Sequence, residues 1–145
     1  MTPGDGGVTV RQLTQDDGPA LRTFPCRQFR EPWSDVVEEM VQQRLRDALA
    51  RGDVVAAGLW EQGLLCGVAA WTIVDGDPPL CQSHLVAVRT GHTRRGYGRR
   101  LKLAVIENAR AAGAAAVISD VHWDNRAMIE LNASLGANVE RIAGD

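Results

Sequence analysis

The sequence predicts an α/β domain: a mixed β-sheet of about six strands with about four helices on its faces. Three observations predict it. Apolar patterns alternate in the order strand, helix, helix, strand, strand, strand, helix, strand, helix, strand. A hairpin signature joins two of the middle strands, while a helix separates two later ones, so antiparallel and parallel neighbours are both required. Finally, 145 residues that are 45% hydrophobic are enough to bury a core without disulfides or a structural metal.

Each element has its own signature. Residues 1–7 are polar and Gly-rich and read as a disordered tail on one domain that takes in residues 1–145. Val8 to Leu13 alternates as a strand. Thr14 offers an N-cap, with Asp16 and Asp17 in the first turn, for a short helix toward Phe24. Pro25 to Pro32 reads as a loop. Ser34 can cap a second helix, in which Val37, Met40, Val41, Leu45, Ala48 and Leu49 recur at helical spacing until Gly52 stops it. Two strands, Val54 to Trp60 and Leu64 to Val74, flank the turn Glu61-Gln62-Gly63. After the breaker Asp75-Gly76-Asp77-Pro78-Pro79, Cys81 to Val88 is the next strand. A Gly/Arg loop leads to a helix from Arg99 to Ala112, with Leu101, Val105, Ile106 and Ala109 as its stripe. Ala115 to Val121 is a buried strand, Asn125 to Leu135 a last helix closed by Gly136, and Ala137 to Ile142 a final strand.

Composition narrows the function classes. The three cysteines, Cys26, Cys66 and Cys81, have no ligand spacing, so neither a disulfide framework nor a metal site is expected, and each reads as a small buried hydrophobe. The N-terminus lacks the basic and apolar regions of a signal peptide, and no apolar run approaches the ~20 residues of a membrane span, so a cytoplasmic protein without a membrane partner is expected. The net charge of -2 argues against a nucleic-acid partner. Yet Arg89 to Arg110 holds seven cations against Glu107 alone, leaving -8 for the rest of the chain. A local positive field on an acidic chain suits a small polyanion.

The segment that carries chemistry is Leu85-Val86-Ala87-Val88, a loop, and Gly96-Tyr97-Gly98 opening a helix. A strand feeding a Gly-rich turn into a helix N-terminus makes an anion site, because unpaired amides and the helix dipole point the same way. Glycine admits a pyrophosphate where a Cβ would block it. There is no G-K-[S/T], so this is not a P-loop. Leu101 stands where a dinucleotide fingerprint needs its third glycine.

With those residues in view, Leu85 to Ala137 resembles the GNAT superfamily of N-acetyltransferases. That family's loop pattern, Q/R-x-x-G-x-G/A, falls on Thr93-Arg94-Arg95-Gly96-Tyr97-Gly98, and its Asn, helix and Leu-Gly-Phe pattern is similar to Asn125-Arg126-Ala127-Met128 and Leu135-Gly136-Ala137. The resemblance implies a GNAT-like fold and acetyl-CoA as cosubstrate, with no metal. It implies that Val86, Ala87 and Val88 pair with the pantetheine arm through their backbone, and that the amides from Arg94 to Arg99 hold the pyrophosphate. Asn125 would touch the pantetheine, a role compatible with capping the last helix. Thr93 departs from the usual Gln or Arg. Asn132 stands where the family often has a Tyr that protonates the departing thiolate, and an amide cannot act as that acid. Only nine residues follow Gly136, enough for about one strand, so a second copy of the chain would complete the sheet or it stays short.

The resemblance implies direct transfer of acetyl to a primary amine of a small molecule or a protein. The amine must lose a proton, and the candidates for this centre are His84 on the strand before the loop, His122 ahead of Asp124-Asn125, and position Asn132. His92, in the loop, is expected to meet solvent or phosphate. Glu31 and Asp35 flank Trp33 where the family shapes its acceptor site, so Glu31 and Trp33 are candidate substrate residues. The alternative is a non-catalytic acyl-CoA-binding or regulatory module, favoured by Asn132, the absence of an obvious base and the short C-terminus. A third reading, transfer to aminoacyl-tRNA, is opposed by the acidic balance.

Overall fold

The structure, a computed structural model, describes residues 7–22, 24, 35–89, 91–92, 95–119 and 126–136, with the backbone alone for residues 35–42 and 127. Strand β1 (Val8–Gln12) leads into a 3-10 turn (Gln15–Asp17) and the short helix α1 (Gly18–Arg22). Thr14 caps this entry as its sequence context predicts: its hydroxyl accepts from the Asp16 amide at 3.3 Å, and the Asp17 carboxylate accepts from the Thr14 amide at 2.9 Å. Asp17 also takes both guanidinium nitrogens of Arg11, at 2.9 and 3.0 Å. Helix α2 spans Asp35–Arg51, and its stripe residues Leu45 and Leu49 join the core. Ser34, its expected cap, lies outside the described residues.

Strands β2 (Val55–Glu61) and β3 (Leu64–Val74) form the expected hairpin, and β4 (Leu80–Val88) follows. Helix α3 (Tyr97–Ala111) crosses to β5 (Val117–Ser119), and α4 (Arg126–Ser134) comes last. The described strands form a 5-stranded sheet in the order β1-β2-β3-β4-β5. Its first three junctions are antiparallel and β4–β5 is parallel. The final strand expected over residues 137–142 lies outside the described residues. Helix α3 starts at Tyr97 rather than Arg99, because Gly96 makes the left-handed turn (φ 77°) and Gly98 already sits in the helix.

The sheet buries a cluster on each face. On one, Leu21, Phe24 and Leu45 cover Leu65, Val68, Ala70, Leu85 and Ala87. On the other, the α3 residues Tyr97, Leu101, Val105 and Ala109 cover Cys66, Ala69, Trp71 and Cys81. Helix α3 lies close because Gly67 has no side chain: a Cβ there would stand 2.7 Å from Leu101 Cδ1. Trp71 Nε1 donates to Asn108 Oδ1 at 2.9 Å and locks the helix in place.

Two β-bulges break the alternation. Between β2 and β3, Leu59 faces Gly67 and Trp60 faces Leu65, so Cys66 is the extra residue. Between β3 and β4, Ala70 faces Leu85 and Trp71 faces Ser83, so His84 is the extra residue. The second bulge exchanges the faces of β4: Ser83 meets α3, whereas Leu85 packs under α1 and α2. Among the described residues no helix is long and apolar enough to cross a membrane.

Candidate functional site

Strand β4 pairs with β3 along its length, but with β5 only at Cys81, Gln82 and Ser83, opposite Val117, Ile118 and Ser119. From His84 to Val88 its outer edge has no ladder partner among the described residues. That open edge is about 16 Å long at ~3.3 Å per residue, and it runs toward the N-terminus of α3. Val86, Ala87 and Val88 lie on it, as the sequence reading expects.

At the helix end, Gly96 makes no side-chain cap, and a Cβ on it would meet nothing within 4 Å. The first helical bond comes from the Arg100 amide to the Gly96 carbonyl at 3.1 Å. The amides of Tyr97, Gly98 and Arg99 are therefore the orphan donors of the first turn. No acid stands in that turn, while Arg99 and Arg100 do. Cations beside the positive end of a helix dipole oppose it, and a bound anion reverses the sign.

The two other loop side chains meet at Glu61. Tyr97 is buried, and its hydroxyl donates to Glu61 Oε2 at 2.5 Å. Arg95 reaches the same carboxylate at 3.3 Å. The tyrosine hydrogen bond, and then the Arg95 charge, hold the Glu61 carboxyl below its usual range, while Glu61 pushes the Tyr97 phenol up. Tyr97 thus lends the loop its amide and the core its ring. Arg99 Nη1 donates to Ser134 Oγ on α4 at 3.2 Å.

His84 sits on the β4 bulge with its ring exposed. Its Nε2 lies 2.8 Å from Thr72 Oγ1, and that hydroxyl donates to the Asp53 carbonyl at 3.2 Å. The hydroxyl has one proton, already given to Asp53, so Nε2–H is the donor in this pair. The neutral ring then carries its lone pair on Nδ1, the form a proton acceptor needs.

Two residues acquire a meaning that the sequence did not reveal. Lys102 is 5% exposed, and its Nζ donates to Ser119 Oγ at 2.6 Å and Ser83 Oγ at 3.2 Å, the last rung before β4 and β5 part. Burial lowers its pKa. It had counted only as one of the segment's cations, although its spacing to Val105 and Ala109 is that of the buried stripe. Asn132, on α4, has a buried Oδ1 with no partner among the described residues. Its neighbour Leu131 lies 3.6 Å from where a Gly98 Cβ would be, so α4 closes on the start of α3. His92 is half-buried rather than turned to solvent, and its Nδ1 is buried without a partner among the described residues. Thr93, Arg94, His122, Asn125, Glu31 and Trp33 lie outside the described residues.

The profile of the Acetyltransferase (GNAT) family matches residues 18–137. The chain belongs to the GNAT acetyltransferase family. A curated relative, the L-methionine sulfoximine/L-methionine sulfone acetyltransferase of Salmonella typhimurium, is 33% identical over 82 residues, which is 54% of this chain and 47% of that protein. The match thus spans about half the length of that relative. Among solved structures, the aminoglycoside N-acetyltransferase AAC(6')-Iy in complex with CoA superposes with a TM-score of 0.72 at 18% identity, covering 98% of this chain and 95% of that one. The ribosomal-protein-alanine N-acetyltransferase of Brucella melitensis biovar Abortus 2308 superposes with a TM-score of 0.74 at 12% identity, covering 94% and 96%. At those identities the two structures establish the GNAT fold.

Proposed function

We propose that this GNAT chain is an acetyl-CoA-dependent N-acetyltransferase that passes acetyl directly to a primary amine, without a covalent enzyme intermediate. The observation that carries the reading is the open β4 edge leading into the uncapped N-terminus of α3. The amides of Gly96, Tyr97, Gly98 and Arg99, with Thr93, Arg94 and Arg95, hold the CoA diphosphate. The backbone of Val86, Ala87 and Val88 hydrogen-bonds the pantetheine arm as an added strand, joined by Asn125. The partnerless Oδ1 of Asn132 fits an amide N–H of that arm, since a buried acceptor needs a donor.

An arm laid along the edge from the helix end brings its reactive tip to the bulge, where His84 sits. His84 Nδ1 takes the proton from the incoming amine as the C–N bond forms; His122 is the second candidate for that task. A backbone N–H of the open edge beside the bulge steadies the tetrahedral oxyanion. The C–S bond then breaks, and the thiolate takes its proton from water, because Asn132 has none to give. A thiol with a pKa of about 8.5 leaves readily. Lys102 fixes the rung at which the strands diverge.

The acceptor is a small molecule or protein bearing an amine, the group common to the acceptors that the relatives' names specify, and Glu31 and Trp33 are the candidate residues for its recognition. The reducing cytoplasm suits the buried free thiols of Cys66 and Cys81. Titration calorimetry with acetyl-CoA tests the donor half, and an absence of heat and of thermal stabilisation sinks the reading. Thiol release across L-methionine sulfoximine, aminoglycosides and an alanine-terminated peptide tests the acceptor half. Tight binding with no thiol released by any amine turns the assignment to an acyl-CoA-binding module.

A further inference from the structure

No metal-ligand spacing stands in the sequence, yet the fold brings three ligand types together. Glu61 ends β2, Cys66 is the extra residue of the β3 bulge, and His92 lies in the turn after β4. A carboxylate oxygen, the Cys66 Sγ and a His92 ring nitrogen lie within 4.8 Å of one another. We propose that Glu61, Cys66 and His92 form a binding site for one divalent cation of the zinc class, beneath the segment that leads to the anion loop.

Three features support a built site. The bulge places Cys66 and Gly67 both toward α3, so the sulfur leaves the regular alternation and faces the turn that carries His92. That turn is tied to Cys66 itself: the Arg89 amide donates to the Cys66 carbonyl at 2.8 Å, and the His92 amide to the Arg89 carbonyl at 3.0 Å. Finally, the buried His92 Nδ1 has no partner among the described residues, an arrangement that costs free energy unless something accepts its lone pair.

The third ligand is oriented in advance. Tyr97 holds Glu61 Oε2 at 2.5 Å, while among the described residues Oε1 meets only Arg95, at 3.4 Å, and is the oxygen left for a cation. An outer hydrogen bond of this kind steadies a ligating carboxylate. Zinc bonds of about 2.0–2.3 Å set ligand atoms roughly 3.3–3.7 Å apart, so the widest pair closes by about an ångström. Thiolate with imidazole selects against magnesium and calcium. One thiolate and one carboxylate neutralise the dication, so Arg95 can remain beside the site with its head toward water. Binding releases the thiol proton now directed at the Leu64 carbonyl at 3.5 Å. Three protein ligands leave a fourth position for water or another group.

The test is a cobalt(II) titration of the intact, reduced chain. One equivalent produces a thiolate-to-cobalt charge-transfer band, which zinc then removes by displacement. Cys66→Ser abolishes the band, and His92→Ala weakens zinc affinity at least tenfold while the chain still folds by circular dichroism. The proposal is overturned by a wild-type chain that gives no band. It is overturned equally by a band that survives Cys66→Ser, which assigns the sulfur to Cys26 or Cys81, or by unchanged zinc affinity in His92→Ala. Should Cys66→Ser not fold, the His92→Ala affinity decides the matter. The readout is independent of acetyl-CoA, so its failure and that of the acetyl-transfer reading are separately visible.

Discussion

The pair of glycines at the start of α3 separates backbone geometry from ligand space. Gly96 has φ 77°, and an added Cβ would touch nothing within 4 Å. The whole cost of Gly96→Ala is therefore conformational, about 1–2 kcal/mol for an L-residue held in the left-handed region. For a chain of this size that lowers the melting temperature by roughly 3–8 °C. Gly98 lies inside the helix, and its Cβ would meet Leu131 Cδ2 at 3.6 Å and Val88 Cγ2 at 4.0 Å, both ordinary contacts. Gly98→Ala should stabilise the free protein by about 0.5–1 kcal/mol through helix propensity. Replacing Gly98 with leucine should weaken coenzyme A at least tenfold, while the protein stays folded. Differential scanning fluorimetry with and without coenzyme A reads both effects. If Gly96→Ala melts with the wild type, the left-handed cap is absent and the orphan amides do not point as described. If the Gly98→Leu protein binds coenzyme A unchanged, the diphosphate lies elsewhere.

His84→Gln should lower kcat by about 10²–10⁴ with little change in acetyl-CoA affinity; an unchanged kcat would hand the proton to His122. Lys102→Met removes a buried cation whose pKa burial has lowered. The unfolded chain binds the proton more tightly than the folded one, so wild-type stability rises with pH between the folded and unfolded values. The variant should match or exceed wild-type stability below that window and lose its advantage through it, as pH-resolved melting will reveal; a large loss at every pH would expose a carboxylate partner. Asp17 is held below the usual carboxylate range, chiefly by the Arg11 hydrogen bond. Its contribution is present above the unfolded value and lost as pH falls through the folded one. Arg11→Met should therefore melt earlier at neutral pH and show a flatter acid limb.

Turn chemistry made much of the fold legible. Gln62 and Gly63 (φ 50° and 83°) fulfil the predicted hairpin, and Gly52, Gly113 and Gly136 take the left-handed conformation where helices were expected to stop. The strand, turn and helix around Gly96 were equally visible, because positive φ leaves a glycine in the sequence. The bulges left no such mark. Cys81, Ser83, Leu85 and Ala87 read as one face of a strand, but the extra residue at His84 puts the first two toward α3 and the last two away from it. Apolar residues at Val86 and Val88 hide the slip, since both faces of this strand are covered. Lys102 was misread for a related reason: composition counts it as a surface charge, whereas helical spacing places it with Val105 and Ala109. The cluster of Glu61, Cys66 and His92 depends on a register between strands that no local pattern encodes.

Both unusual clusters stand at a slip in alternation, and there is a physical reason. A regular strand commits every side chain to one face and every backbone group to a neighbour. An extra residue releases both commitments at once. On β4 the release falls just past the last rung with β5, so an exposed histidine and an open edge arise together. On β3 it turns a thiol into a corner already walled by a carboxylate and an imidazole. A variant that restores regular pairing, by deleting His84, tests this directly. Ser83 and Leu85 become neighbours and keep their partners Trp71 and Ala70, so Leu85 and Ala87 stay beneath α1 and α2. The deletion should therefore fold and melt near His84→Gln. A deletion that melts far below the substitution would mean that the bulge carries packing of its own.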